Sequence, residues 1–296
     1  FIPFSFDSMF TISGMDKLNQ IWNDISKALS LANIKIEQVG KEYGPGQYEA
    51  TWQYDDVMQS IDKYINYKDF IKSIIHDHGF LATFMPKPFD HLPGNGLHLH
   101  LSLWDQNNKE ISCSDNDEFP LSNIGSNFVA GLLLNAHSLT ATGCSSVNSY
   151  KRILPGSWSP AHICWGKENR STLIRIPGKG KRRHIELRHG DNLNNPYIYL
   201  ISVLASGLMG IKNKLTLEDP ILDDAGQYSD NINISELKVL PRSLNESLSY
   251  LKDNKIINNA LGSIIFDEFI KIKETELRQY ETTVHSWERD RYIDIF

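Results

Sequence analysis

The chain has 296 residues, of which 41% are hydrophobic and 22% charged, so it has the composition of a globular protein with one large or two ordinary domains. Its formal net charge of −6 argues against a general nucleic-acid binder, although residues 179–184 are locally basic. The three cysteines form no Cys-x-x-Cys pair, no apolar run reaches the length of a membrane span, and the N-terminus lacks a signal-peptide pattern. We therefore expect a cytoplasmic protein without a disulfide framework, a zinc knuckle, or a membrane or nucleic-acid partner.

Hydrophobic periodicity predicts the secondary structure in chain order. Helices are predicted over residues 14–31 and 56–78, with a strand over 34–39 between them and another over 81–85. A strand over 96–104, a helix over 121–142, and short strands at 174 and 185–188 come next. Asn195-Pro196 then opens a long apolar helix as cap and first-turn proline, and residues 235–292 are predicted to form two helices. Because these elements do not alternate as strict βαβ units, we expect an α+β fold with a mostly antiparallel sheet.

The strand over residues 96–104, GLHLHLSLW, alternates leucine with polar residues. Successive side chains on a strand point to opposite faces, so one face carries four leucines and the other carries His98, His100 and Ser102. Solvent-facing strands usually carry Lys, Glu or Thr, and two imidazoles two residues apart instead indicate a lined cavity. Neutral imidazole ligates divalent metals, and its protonated form meets anions. The alternative is an ordinary solvent-facing edge.

Three further segments gather polar groups at strands and turns. Glu42 and Glu49 flank the turn Gly44-Pro45-Gly46, where two carboxylates could converge or could lie on the surface beside a hairpin. In the segment HIELR an imidazole, Glu186 and a guanidinium alternate with apolar residues, as they also would on an exposed salt-bridged strand. Several arginines bracket a Gly- and Pro-containing loop, and each by itself could be a surface charge.

Taken together, these groups point to one kind of chemistry. Glutamates and histidine without thiolates suit Mg²⁺ or Mn²⁺ better than zinc. Arginines beside such ions are what phosphoryl transfer requires, because they neutralise charge that builds on the phosphate oxygens. The sequence has no P-loop and no G-x-G-x-x-G motif, so a nucleotide would bind outside those schemes. The residues thus indicate a metal- and ATP-dependent enzyme.

Seven ordered segments carry a resemblance to a known family: EYGPGQYE, HGFLATFMPKP, GNGLHLHLSLWD, NSYKRILPG, WGKENRSTLIRIP, IELR and NPYIYLISVLASGLMGIKNK. From about residue 34 to 214 they resemble the catalytic domain of glutamine synthetases and related glutamate–amine ligases, and Trp287-Glu288 is similar to the group's tail. The resemblance implies one catalytic domain over residues 1–296, with a curved, mostly antiparallel sheet that forms a funnel-shaped active site flanked by helices. It also implies that ATP phosphorylates the γ-carboxylate of L-glutamate before ammonia or another amine displaces the phosphate.

The same resemblance implies roles for individual residues. Two divalent ions, Mg²⁺ or Mn²⁺, are expected, one held by Glu42 and Glu49 and the other by His98 and Glu186. His98 is also expected near the transferred phosphoryl group. The other matches are Arg152, Arg188 and Gly94 for glutamate, Arg170 and Arg175 for the phosphates and their transfer, and His100 and Ser102 for the nucleotide.

The chain also departs from the family pattern. The loop that usually contains Glu-Ala-Pro reads Trp158-Ser159-Pro160, so an indole replaces the carboxylate that closes the ammonium pocket. An indole cannot act as a base, but its face can hold a cation or an alkyl chain, which favours an amine larger than ammonia. Pro93 stands where an asparagine often contacts glutamate, and His184 where an arginine often meets phosphate. Lys181, Arg182 or Arg183 could compensate for that arginine.

The resemblance further implies an N-terminal β-grasp domain and a Glu-x-Glu strand, neither of which precedes Phe1. The chain begins without methionine, so we expect it to be a fragment of a longer protein that forms a homo-oligomer of stacked rings. Two other classes are possible: a noncatalytic structural relative that keeps the fold, and a His-x-His metal hydrolase. Retention of the matched glutamates, histidine and arginines argues against the first, and the lack of a further hydrolase ligand set argues against the second.

Overall fold

The computed structural model describes residues 3–116, 118–225 and 237–295. The chain forms two compact units, Phe1–Gly94 and Asn95–Phe296. Within the described ranges, none of the helices combines the length and the apolar character needed to cross a bilayer. Of the predicted helical tail, residues 235 and 236 lie outside the described residues.

The first unit contains two helices and a two-stranded antiparallel sheet. Its elements are α1 (Ile12–Leu31), β1 (Ile36–Lys41), β2 (Tyr48–Trp52) and α2 (Val57–Asp77). The predicted helices and first strand are confirmed, with ends within about two residues, because apolar residues such as Leu18, Ile21 and Ile25 form a buried stripe on α1.

The strand predicted over residues 81–85 is wrong. These residues form no strand in the described part of the chain, since they pair with no neighbouring strand. Phe84 instead packs edge-on against Tyr67 of α2, with ring centroids 6.3 Å apart. The short apolar run therefore packs through its side chains without joining a sheet.

The second unit is built on a four-stranded sheet with the order β3-β6-β5-β4. Its strands are β3 (Leu99–Leu101), β4 (Trp165–Lys167), β5 (Ile174–Ile176) and β6 (Ile185–Leu187). The β3–β6 and β6–β5 pairs are antiparallel and the β5–β4 pair is parallel. The α+β class and a mostly antiparallel sheet are thus confirmed, although the histidine strand has three residues rather than nine.

Helices flank this sheet in chain order. They are α3 (Asn123–Leu134), α4 (Ala136–Gly143), α5 (Pro196–Lys212), α6 (Leu244–Asp253), α7 (Lys255–Leu261), α8 (Ser263–Glu281) and α9 (Ser286–Tyr292). The Asn195 side chain caps α5 as predicted, accepting from the N–H groups of Tyr197 and Ile198. α3 and α5 approach closely, since a Cβ atom at Gly131 would lie 2.3 Å from the Ser206 carbonyl oxygen.

Two predicted helices are interrupted. The helix predicted over 121–142 breaks at Asn135, which ends α3 and whose side chain bonds back to the Gly131 carbonyl at 2.9 Å. The described tail contains four helices rather than two. Asn254 caps the start of α7, and Gly262, with φ of +74°, ends it.

Candidate active site

Three adjacent strands place the predicted polar groups on one row of the second unit's sheet. His100 on β3 pairs with Glu186 on β6, and Glu186 pairs with Arg175 on β5. Directly paired residues lie on the same face, so imidazole, carboxylate and guanidinium are neighbours across three strands. The alternate residues face the core: Ile185 and Leu187 are buried, and Leu99 and Leu101 are partly buried against it. This arrangement accounts for the alternation of leucine and histidine in the sequence.

Glu186 is at the centre of this row, with only 3% of its side chain exposed. Its Oε1 lies 3.0 Å from Nδ1 of His98 and accepts from Nη1 of Arg188 at 2.5 Å, while Oε2 accepts from Nη1 of Arg175 at 3.2 Å. Burial disfavours the ionised carboxyl, but the hydrogen bond with His98 and the charge of Arg188 outweigh it and hold the pKa of Glu186 well below its usual range. The carboxylate is therefore ionised at neutral pH.

His98, His100 and Glu186 form a donor set that fits a divalent cation. One ligand atom from each lies within 4.8 Å of the others. Desolvation by the surrounding protein lowers the pKa of His100 to about 4, so its imidazole is neutral at pH 7, the form that ligates metals or accepts a hydrogen bond. Nδ1 of His100 lies 2.7 Å from Nε2 of His184, whose Nδ1 lies 2.8 Å from the carbonyl oxygen of Arg182. His184 is thus a direct neighbour of the cluster.

Arg152 is buried beside the same cluster. Its Nη1 donates to the Ser159 hydroxyl at 2.8 Å, and its Nη2 donates to the carbonyl oxygens of His189 and Gly190, the latter at 3.0 Å. A Cβ atom at Gly96 would lie 3.4 Å from both Nη1 of Arg152 and Nε2 of His98. The side chains of Arg152 and His98 therefore border the same space beside Gly96.

The remaining arginines occupy different positions. Arg188 is buried, and burial followed by the neighbouring charges of Arg175 and Arg170 lowers its pKa despite the partner Glu186. Arg170 is exposed in the connection from β4 to β5. Arg183, which was expected to be available to an anion, instead donates from Nη1 to the carbonyl oxygens of Ser114 and Asn116 and is buried.

Sequence reasoning missed Glu168. Its Oε2 accepts from Nη2 of Arg175 at 2.7 Å, and its Oε1 accepts from the backbone N–H of Gly178 at 2.7 Å. Burial opposes ionisation of Glu168, but these hydrogen bonds outweigh it and lower the pKa. Its position two residues before Arg170 in the segment WGKENRS gave no signal for this contact.

The first unit carries the other two predicted glutamates on the β1–β2 hairpin. Gly40 pairs with Glu49, and the N–H of Glu42 donates to the Gln47 carbonyl at 2.8 Å, so the register places both carboxylates on one face. Glu42 is half-buried and Glu49 is exposed. Buried Lys41 shapes the turn by donating to the carbonyl oxygens of Glu42 and Gly44, at 2.6 and 2.7 Å.

Three predicted positions remain. The Gly94 carbonyl accepts from Nε2 of Gln47 at 3.0 Å within the first unit. In the second unit, the Ser102 hydroxyl accepts from Nε1 of Trp104 at 2.9 Å and keeps a proton to donate. Trp158 is 72% exposed on a loop in which the Ser157 hydroxyl donates to the Arg152 carbonyl at 3.0 Å.

The sheet of the second unit carries a row of imidazole, carboxylate and guanidinium groups, the side-chain types that proteins use to hold cations and anions. A family model described as "Glutamine synthetase, catalytic domain" matches residues 3–292, so the chain belongs to the glutamine synthetase family. The expected family and its fold class are confirmed.

Similar proteins extend this finding. The chain is 34% identical over 294 residues to a glutamine synthetase of Methanocaldococcus jannaschii, covering 99% of this chain and 65% of that protein. It is 35% identical to a glutamate–methylamine ligase of Methyloversatilis universalis, covering 97% and 66%. A solved structure of apo GmaS without ligand superposes with a TM-score of 0.88 at 31% identity, covering 97% of this chain and 65% of that one. A GmaS/ADP complex gives the same TM-score at 32% identity, covering 97% and 66%. The chain thus spans about two thirds of the length of these relatives.

Proposed function

We propose that the protein containing this chain is an ATP-dependent ligase that joins the γ-carboxylate of L-glutamate to ammonia or another amine. The observation that carries the proposal is the packing of His98, Arg175 and Arg188 around the buried carboxylate of Glu186 in a chain of this family. Relatives named glutamine synthetase and glutamate–methylamine ligase support the same reaction class.

The proposal includes two divalent cations, Mg²⁺ or Mn²⁺. In the proposal Glu42 and Glu49 hold one ion, and His98 and Glu186 hold the other. These carboxylate and imidazole donors, without a thiolate, suit hard cations. When bound, such ions neutralise charge on phosphate oxygens and favour attack on phosphorus.

In the proposal, two arginines bind glutamate and two bind the phosphates of ATP. Arg152 and Arg188 bind the carboxylates of glutamate, and the glutamate contact of Gly94 stays a prediction from the family resemblance. Arg170 and Arg175 bind the phosphates and stabilise the charge that develops during their transfer. His100 and Ser102 contact the nucleotide, and the ADP complex of GmaS supports a nucleotide site in this family.

The chemistry explains why these groups are needed. A carboxylate is a poor acyl donor because oxide would be the leaving group, whereas γ-glutamyl phosphate has phosphate as its leaving group. The γ-carboxylate oxygen attacks the terminal phosphorus of ATP, ADP leaves, and the amine then attacks the acyl carbon and expels phosphate. Water must be excluded during these steps, because it would hydrolyse the acyl phosphate.

The identity of the amine depends on Trp158. Ammonia is the usual amine of glutamine synthetases, but an exposed indole at the position of the family's glutamate favours a second candidate, an alkylamine. The glutamate–methylamine ligase relative supports this candidate. A homo-oligomer of stacked rings and a cytoplasmic location stay predictions from the family resemblance.

The test is phosphate release by the full-length protein with ATP, glutamate and Mg²⁺ or Mn²⁺, comparing ammonium with methylamine, ethylamine and polyamines. Amine-dependent release that the Glu186→Gln variant loses is the expected result. Release with ammonium alone would reject the alkylamine candidate. A folded protein that releases no phosphate with any amine would reject the ligase and favour a noncatalytic relative.

A further inference from the structure

Glu168 lies in the connection between β4 and β5 and uses both of its carboxylate oxygens. One accepts from Nη2 of Arg175 and the other from the backbone N–H of Gly178, each at 2.7 Å. The backbone of Glu168 has φ of +53°, which residues other than glycine rarely adopt and which surrounding contacts must maintain. No step of the proposed reaction uses this carboxylate.

The two groups that Glu168 joins belong to different parts of the second unit. Arg175 lies on β5 and directs Nη1 toward Glu186 at 3.2 Å. Gly178 begins the basic loop, which we define as residues 178–184 and which carries exposed lysine and arginine side chains. Gly178 has φ of +81°, and a Cβ atom there would lie 2.6 Å from the carbonyl oxygen of Arg182, so the loop folds tightly back on itself.

The far end of the basic loop is also fixed. Arg183 is buried and donates to the carbonyl oxygens of Ser114 and Asn116, the latter at 3.0 Å. Nε2 of His184 lies 2.7 Å from Nδ1 of His100. The loop is thus held at its end by Arg183 and His184, and at its start by Glu168.

We propose that Glu168 is a positioning residue that holds Arg175 and the start of the basic loop in one arrangement, so that both meet the phosphates of the nucleotide together. This inference rests on the proposed function, because it assigns Arg175 to the phosphates. Glu168 itself does not touch the nucleotide, since a carboxylate repels phosphate.

A carboxylate suits this position because its two oxygens accept from two donors at once. In the Glu168→Gln variant the amide oxygen still accepts from one donor, but the amide nitrogen cannot accept from the other. The Glu168→Ala variant loses both hydrogen bonds. Glu168→Gln therefore keeps the side-chain length and loses one hydrogen bond, whereas Glu168→Ala loses the side chain and both hydrogen bonds.

The experiment uses the full-length protein and combines trypsin cleavage with nucleotide binding. Trypsin cleaves after Lys and Arg, both of which occur in the basic loop. The rate of cleavage in the loop, measured by mass spectrometry without nucleotide, therefore shows how firmly the loop is held. Calorimetry measures ATP affinity, and steady-state kinetics measure KM for ATP and for glutamate. The matched control is Glu274→Ala, which removes a salt bridge with Lys252 from a carboxylate of similar exposure, 42% against 47% for Glu168.

We expect Glu168→Ala to speed cleavage in the basic loop about fivefold and to weaken ATP binding about tenfold, with KM for glutamate unchanged. Glu168→Gln falls between this variant and the wild type, and Glu274→Ala matches the wild type. Cleavage of Glu168→Ala at the wild-type rate would overturn the inference, as would tighter ATP binding, which would mean that the carboxylate only repels the nucleotide. A wild-type protein that binds no ATP would instead contradict the proposed function, while the cleavage comparison would still decide whether Glu168 anchors the loop.

Discussion

Nδ1 of His98 lies 3.0 Å from Oε1 of Glu186, although the two residues are 88 positions apart in the sequence. The β3–β6 pairing brings them together, because His98 immediately precedes β3 and Glu186 is the middle residue of β6. The same carboxylate also accepts from two arginines. We therefore expect removal of its charge to lower both stability and the proposed cation binding.

For Glu186→Gln we expect the free energy of unfolding to fall by about 3 kcal/mol, because Arg188 and Arg175 lose their buried counter-charge. Urea denaturation measures this change, and Mn²⁺ titration followed by electron paramagnetic resonance measures the accompanying loss of affinity. The control Glu268→Gln removes an exposed pair with Lys271 and should change stability by less than about 0.5 kcal/mol. Equal effects of the two substitutions would contradict the central role of Glu186.

Much of the helical structure follows from local patterns. Leu18, Ile21 and Ile25 recur at helical spacing, and Asn195-Pro196 is a local capping signal, so α1 and α5 were predictable. The breaks at Asn135 and Gly262 were not, because a polar residue or a glycine inside an apolar run ends a helix only when tertiary packing makes room for the turn. Asn and Gly disfavour helix interiors but are also tolerated inside uninterrupted helices, so their presence alone does not locate a break.

The candidate site was predictable as a set of residues, but its contacts were not. Alternation placed His98 and His100 on one face, and family resemblance singled out Glu186, yet one sequence gives no information on which strand pairs with which. The contact of Glu168 with Arg175 depends on a positive φ at a glutamate, which no local propensity favours. Long-range strand pairing and strained backbone are therefore the features that a single sequence does not reveal.

Replacing Arg152 by lysine tests the shape of its side chain. A lysine keeps the charge but lacks the planar fork that bonds Ser159 on one side and the carbonyl oxygens of His189 and Gly190 on the other. We expect KM for glutamate to rise at least about tenfold, corresponding to about 1.4 kcal/mol, with KM for ATP unchanged.

The neighbouring Lys151→Ala variant is the control for Arg152→Lys, because Lys151 is exposed and its ammonium lies 5.4 Å from the ring centroid of Tyr280. It should leave both KM values unchanged. A rise in KM for ATP alone in Arg152→Lys would reassign Arg152 to the nucleotide.

Gly96→Ala tests the space between Arg152 and His98. The added methyl group would sit 3.4 Å from a nitrogen of each, at ordinary contact distance, so the fold should tolerate it. Because the methyl group occupies space that a bound carboxylate would need, we expect KM for glutamate to rise about tenfold with melting temperature unchanged. Unchanged KM for glutamate would show that the substrate does not use this space.

Glu49→Gln tests the hairpin of the first unit. Glu49 is exposed, so its replacement should leave the free energy of unfolding within about 0.5 kcal/mol of the wild type. If it is a cation ligand, the Mg²⁺ concentration for half-maximal turnover should rise at least about tenfold. Glu37→Gln, an exposed glutamate on β1, is the matched control and should need no extra Mg²⁺. Identical Mg²⁺ dependence in the two variants would exclude Glu49 from the metal site.

His189 should make stability depend on pH. It is fully buried, and burial followed by the charge of Arg152 lowers its pKa from 6.5 to about 4. Above pH 6.5 it is neutral in both the folded and the unfolded protein. As pH falls from 6.5 toward 4, the imidazole of His189 takes up a proton in the unfolded state but not in the folded state. The free energy of unfolding therefore falls by up to about 3 kcal/mol, and this decrease levels off below pH 4.

Urea denaturation at several values between pH 7 and pH 4 measures this effect as the difference between wild type and His189→Gln. The wild type should lose stability more steeply as pH falls, because the variant has no imidazole to protonate at this position. His76→Gln removes an exposed imidazole on α2, so it should keep the steep wild-type dependence. Parallel curves for the wild type and His189→Gln would mean that His189 takes up its proton in the folded protein as readily as in the unfolded chain.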